Sequence, residues 1–162
     1  MFDVVVEFPK MKVGVVTREG RVREIRYLPL SHPEVKPGNE LAERAARQLE
    51  SYRENPDTRF DLPVSIEGSA LERGVWDAMC AIPRGRTRTY GDIARELAQF
   101  FPVDPRAVGQ ACGDNRLPLV IPCHRVVAAN GLGGFAHASS GYLLEAKRWL
   151  LLHEAAEFEL TP

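Results

Sequence analysis

Residues 106–127 read RAVGQACGDNRLPLVIPCHRVV, and they contain both halves of the problem this chain poses. Asp104 and Pro105 stand just before, an N-cap and a proline at the first helical position, so a helix is expected over 105–113, closed by Gly113. After it an apolar run carries Pro122, Cys123, His124 and Arg125 without a spacer. A lone thiol with an imidazole and a guanidinium as its next neighbours has a chemical reading and a bland one, since a buried cysteine is more often packing than nucleophile.

The bulk numbers set the frame. A chain of 162 residues can form one domain or two small ones, and either can bury a core. A hydrophobic content of 44% with 27% charged residues excludes wholesale disorder. No apolar run reaches the roughly 18–20 residues of a membrane span, and the opening MFDVVVEFPKMKVGVV lacks the pattern of a signal peptide. Three scattered cysteines, Cys80, Cys112 and Cys123, argue against a disulfide framework and for a reducing setting, so a cytoplasmic protein is expected, or a nuclear one in a eukaryote. There is no CxxC, no HExxH and no close histidine pair, so neither a metal site nor a cofactor is expected. Net charge is −1, yet between 83 and 126 seven arginines face four carboxylates. On charge alone that patch is equally a binding surface or a solvated face.

The expected architecture is α/β (α+β). DVVVEF, KVGVVT and VREIRYLPL read as strands, and NELAERAARQLESYREN as a helix with Leu41, Ala45 and Leu49 on one face. This gives an amino-terminal sheet-plus-helix domain over 1–54, with 55–68 as a connector. Residues 69–162 read as a mostly helical second domain. Ser69 and Glu72 form a capping box, with Leu71, Val75, Ala78, Met79 and Ile82 as the apolar stripe of the helix that follows. Thr89 caps a short helix, YGDIARELA, and the helix over 105–113 comes next, a pairing that suggests helix-turn-helix although QFFPV is long for the turn. A last helix is expected from about Ser140, with Leu144, Trp149 and Leu152 toward the core. In the second helix of the pair Arg106 lies near the N-terminus, and Ala107 and Gly109 are small enough for close approach to another surface or to a neighbouring helix.

A cysteine reacts as the thiolate, and an ordinary thiol with a pKa near 8.5 needs a base or a positive charge beside it. His124 is adjacent, but on an extended strand neighbouring side chains point to opposite faces, so a bridging water is a natural intermediary. The imidazole in turn needs an orienting group, usually a carboxylate, and both Glu154 and Asp114 remain candidates. Cys80 and Cys112 fall in apolar helical stripes and read as inert packing.

The pentapeptide PCHRV at 122–126 resembles the signature of the O6-alkylguanine-DNA alkyltransferases, the methylated-DNA–protein-cysteine methyltransferases. Collinear matches are FDLPV, VWDAMCAIPRGRTRTYGDIA, RAVGQACGDNRLPLVIPCHRVV and KRWLLLHE, covering roughly residues 60 to 155. The resemblance implies stoichiometric transfer of an alkyl group from O6 of guanine in double-stranded DNA to Cys123, by a monomer that is consumed in the act. It implies that His124 relays the thiol proton through water, Glu154 orients His124, and Asn115 braces the turn that carries the cysteine. Tyr90 would donate to the purine, and the carbonyls of Cys123 and Val126 would accept from its amino group. Arg106 would fill the place of the flipped nucleotide, with Ala107 and Gly109 letting the helix into the minor groove.

The pocket loop departs from the family pattern. GGFAHASSG has Phe135 where a tyrosine is usual and extra residues after it, leaving Ala136 to offer a backbone N–H to the guanine oxygen. The amino-terminal half lacks the cysteine and histidine ligands of zinc-containing relatives. Two further readings remain from the residues alone. One is a helix-turn-helix regulator sensing alkylation; the other is a cysteine hydrolase with repeated turnover.

Overall fold

The computed structural model describes residues 1–135, 137–138 and 141–155. The chain separates into two compact units, 1–67 and 68–162.

In the first unit three antiparallel strands, β1 (Val4–Glu7), β2 (Lys12–Arg18) and β3 (Arg21–Leu28), lie in the order β1-β2-β3. Glu19 and Gly20 both take positive φ (52° and 75°), the two-residue turn whose twist suits a tight hairpin. A bulge at Val16/Thr17 shifts the register late in the β2–β3 ladder. Helix α1 (Glu40–Glu54) starts at Asn39, whose side chain accepts from the Ala42 N–H at 2.8 Å. The buried face is Ala42, Ala45, Ala46, Leu49 and Tyr52, so Leu41 stands at the margin and not on the central stripe. The stretch after α1 does not hang free. Val22 donates to the Pro63 carbonyl and accepts from the Ser65 N–H, which lays residues 63–65 along β3 and keeps them within the first unit.

The second unit opens with α2 (Ala70–Cys80), capped by the reciprocal Ser69–Glu72 box. A two-residue strand β4 (Arg88–Thr89) leads into α3 (Tyr90–Leu97), where Thr89 and Asp92 form a second box. Helix α4 (Pro105–Gly113) follows, with the Asp104 carboxylate accepting from the Ala107 N–H at 2.8 Å. These two helices are the helix-turn-helix pair. Both pack on α2, and the buried Trp76 indole N–H donates to the Ala111 carbonyl at 2.9 Å. Strand β5 (Val126–Val127) pairs in parallel with β4, so the segment after the cysteine is bonded directly to the start of α3.

The last helix, α5 (Tyr142–His153), differs from expectation in the face it buries. Ala146, Lys147, Leu150 and Leu151 are buried, whereas Leu152 is 59% exposed and Leu144 and Trp149 are half-buried. The inward stripe runs through 147, 150, 151 and 154, on the side of the helix away from Trp149 and Leu152, and it carries two charged residues. Cys80 is also misplaced by sequence: it is exposed at the end of α2. Among the described residues no helix is long and apolar enough to cross a membrane.

The Ser69 cap makes a quantitative expectation. Ser69→Ala removes the acceptor for the Glu72 N–H, held at 3.1 Å, and should lower unfolding free energy by about 1 kcal/mol. Urea unfolding should show an earlier midpoint with an unchanged slope.

Candidate active site

Cys123 does not sit on a strand. Cys123–Arg125 is one turn of 3-10 helix, and this changes which neighbours the thiol and the imidazole can meet. The turn is fixed from both sides. Asn115 accepts from the Leu117 N–H at 2.9 Å and donates to the Ile121 carbonyl at 2.9 Å, closing the loop that leads into it. On the far side the Val126 N–H donates to the Cys123 carbonyl, and Val126 then joins the β4–β5 ladder.

Behind the turn lies a buried cluster of charged and hydrogen-bonded side chains. The Glu154 carboxylate, just beyond α5, is completely covered. It accepts Nε of Arg125 at 3.0 Å on one oxygen, and Nη2 of Arg125 at 3.1 Å on the other. That second oxygen also receives Nε2 of His124 at 3.0 Å. A carboxylate can only accept, so His124 carries its proton on Nε2 and presents the Nδ1 lone pair. Nδ1 is buried and has no hydrogen-bond partner among the described residues. Burial holds the imidazole below the usual histidine range, against the upward pull of Glu154, so the neutral base is the resting form. Of the two candidate carboxylates, Glu154 takes the role beside His124. Asp114 is engaged elsewhere, with its Oδ1 3.1 Å from Nε2 of His137.

In front of the turn is a cavity of about 330 Å³. Cys123 reaches it from the 3-10 turn, Tyr90 from α3, Arg106 and Gly109 from α4, and Phe135 from the loop before α5. Ala107 and Val126 are not on its wall, while His124, Asn115 and Glu154 stand behind it. Ala136 lies outside the described residues. Burial pushes the Cys123 thiol up, opposed by the Asn115 side chain and by Lys147, so Cys123 rests as the thiol and needs a proton acceptor. Burial likewise keeps the Tyr90 phenol well above its ordinary value, a donor at any physiological pH. Its hydroxyl donates to the Gly134 carbonyl at 3.2 Å. Gly133 (φ 77°) must be glycine there, because a Cβ would stand 3.0 Å from the Tyr90 ring and from the Ala128 nitrogen.

Sequence reasoning missed two participants. Arg125 was read only as part of a motif, yet it binds Glu154 through two nitrogens and donates Nη1 to the Ile82 carbonyl at 2.7 Å. Lys147 had no assigned role. It is fully buried, donates to the Gly134 carbonyl at 2.8 Å, and holds its ammonium 5.8 Å from the Tyr90 and Phe135 ring centres. Burial lowers it to about 8. A usable signal existed: Lys147 and Glu154 are seven residues apart, hence on one helical face, and share it with Leu150 and Leu151. Cys112, expected to be inert packing, lines the cavity with its thiol 3.5 Å from the Met79 sulfur, and burial drives it up to about 12, so it rests as the thiol.

Comparison with known proteins agrees with this geometry. The sequence model of the 6-O-methylguanine DNA methyltransferase DNA binding domain matches residues 70–156. The chain is 42% identical over 118 residues to the methylated-DNA–protein-cysteine methyltransferase of Methanosarcina acetivorans, covering 72% of this chain and 71% of that protein. Among solved structures it resembles the O6-methylguanine methyltransferase of Mycobacterium tuberculosis, with 29% identity and a TM-score of 0.76 over 96% of this chain and 93% of that one. It also resembles OGT of the same organism in complex with DNA, with 30% identity and a TM-score of 0.73 over 93% and 91% of the two chains. A thiol at the floor of a cavity, a buried histidine–glutamate pair behind it and a helix-turn-helix in front thus occur in a chain that belongs to the 6-O-methylguanine DNA methyltransferase family.

Proposed function

We infer that this protein repairs DNA by direct reversal, moving the alkyl group of O6-alkylguanine in duplex DNA onto Cys123. The observation that carries the reading is the placement of one buried cysteine on the wall of a cavity shared with α4, backed by a neutral histidine whose proton-bearing nitrogen faces Glu154.

The step balances without a cofactor. His124 Nδ1 takes the thiol proton through a bridging water, the sulfur forms a bond to the alkyl carbon, and the C–O6 bond breaks with its electron pair going to the purine. Tyr90, which supplies a phenol proton to the Gly134 carbonyl, turns that donor toward the purine and lowers the charge on the leaving group. The carbonyl of Cys123, a residue of the cavity wall, accepts from the guanine amino group. The product is a thioether with no return path, so each molecule acts once. Arg106 is exposed near the start of α4, where it enters the duplex and offsets the few kcal/mol of base flipping, with Ala107 and Gly109 keeping the helix slim. A thiol nucleophile and a DNA substrate fit a reaction in the reducing interior of the cell, cytoplasmic or nuclear.

Stoichiometry is the direct test. Intact-protein mass after incubation with excess methylated duplex should rise by one methyl group, located on the Cys123 peptide, and Cys123→Ala should bind the same DNA and gain nothing. Methyl on Cys80 or Cys112, or continuing turnover, would refute the suicide reaction.

The pH profile follows from the His124 environment. A histidine held below its ordinary 6.5 stays unprotonated at neutrality, so on the acid side the single-turnover rate should decline only below about pH 6.5. An acid limb with its half-maximum at or above about pH 7.5 would exclude His124 as the acceptor.

Arg106 and Tyr90 should fail differently. Arg106→Ala should impair repair of duplex DNA far more than transfer from the free O6-methylguanine base, which needs no flipping. Tyr90→Phe should slow both by about 10²–10³, the cost of one lost donor to a developing oxyanion, with DNA affinity little changed. Single-turnover rates on both substrates decide the matter, and equal losses for Arg106→Ala on the two would exclude the flipping role.

A further inference from the structure

The loop that carries Phe135 is tied down at a place the chemistry above does not use. Phe135 and Ala138 exchange N–H···O bonds at 2.9 and 2.8 Å, making a narrow turn, and His137 within it takes φ 66°. A residue other than glycine is uncommon in that left-handed region and stays there only when its surroundings hold it. Two contacts hold it. Nε2 lies 3.1 Å from Oδ1 of Asp114, the residue directly after α4. The ring also fills the space above Gly113, the last residue of α4: a Cβ built there would stand 2.2 Å from Cε1 and 2.4 Å from Nδ1 of His137. The glycine at 113 and the histidine at 137 therefore fit as a pair. Both line the cavity that also holds Cys123, Arg106 and Phe135.

We propose that His137 is a positioning residue, clamping the pocket loop onto the C-terminal end of the DNA-reading helix so that the Phe135 wall stands in place before guanine arrives. The proposal rests on the alkyl-transfer reading for its kinetic consequence, though not for the clamp itself. A wall already ordered spares the ligand the cost of ordering it, so the clamp acts on how tightly the base is held and not on the bond-breaking step. Arg106 lies at one end of α4 and the clamp at the other, so the loop and the groove-entering side chain share one rigid support. The paired side chains are 48% and 41% exposed, so the clamp is weak and its effect is small but measurable.

The test compares wild type with His137→Ala, Asp114→Ala, the double variant and Gly113→Ala. Two measurements apply: the rate of Cys123 methylation against concentration of free O6-methylguanine base, and amide hydrogen exchange of the 131–141 region in the protein alone. Each single variant at 137 or 114 should raise the half-saturating concentration about three- to fivefold while the limiting rate stays within about twofold. The double variant should be no worse than either single one, because both remove the same contact. Gly113→Ala should reproduce the loss with the histidine still present, although alanine is the better helix former and the protein should melt no earlier. His137→Gln, which keeps an N–H donor, should recover part of the binding. Exchange in the loop should quicken in His137→Ala, Asp114→Ala and Gly113→Ala. Unchanged exchange, or additive losses at 137 and 114, would overturn the clamp. Failure of wild type to accept a methyl group from either the base or duplex DNA would instead overturn the alkyl-transfer reading, and the exchange data would still decide the clamp.

Discussion

A single carboxylate organises the second unit of this protein. Glu154 has no exposed side-chain surface, and its two oxygens take donors from both Arg125 and His124. Arg125 extends the network to the Ile82 carbonyl, so the end of α5, the cysteine-bearing turn and the segment after α2 meet at one buried charge. Breaking such a pair from one side leaves an unpaired charge in the interior, at about 3–5 kcal/mol. The same geometry that fixes the fold sets the tautomer of His124. Structural and chemical demands on Glu154 therefore cannot be separated by deleting it.

The second point of convergence is the Gly134 carbonyl, which accepts from the Lys147 ammonium and the Tyr90 hydroxyl. A buried lysine has few ways to be satisfied, and here it has a carbonyl in line and two aromatic faces alongside. Its positive charge sits where it works against the burial penalty on Cys123. Burial thus acts in opposite senses across the cavity. It keeps Cys112 a thiol and Tyr90 a donor, while lowering His124 into the base form. One buried environment acts on these groups differently through their charge type and their individual partners.

The helix-turn-helix contributes its scaffold and part of the cavity together. Helix α4 is held on α2 through the Trp76–Ala111 hydrogen bond, while its other face brings Arg106, Gly109 and Cys112 to the cavity. The short β4–β5 ladder completes the arrangement by joining the residues after the cysteine to those before Tyr90. Cys123 and Tyr90 are consequently fixed to each other by backbone bonds, which are far less adjustable than side-chain contacts.

Much of this was legible from residues alone, wherever the signal is local. The caps at Ser69, Thr89 and Asp104, the β-branched strands and the PCHRV motif all express preferences that act within a few residues, and the corresponding elements form where they were expected. What depended on tertiary structure was every choice between equivalent local options. The inward face of α5 holds Lys147 and Glu154 beside Ala146, Leu150 and Leu151, each charge meeting its own buried partners, and this leaves Leu152 in solvent. Glu154 and not Asp114 meets His124 because α5 returns to the cysteine turn, while Asp114 ends α4 beside a histidine from a different loop. The 3-10 turn at Cys123 has no sequence signature separating it from a strand, since it arises from the closure of the Asn115 loop. Sequence determined which groups are present and where helices start; the long-range return of the chain decided which groups meet, because hydrogen bonds between distant residues exist only once the core that aligns them has formed.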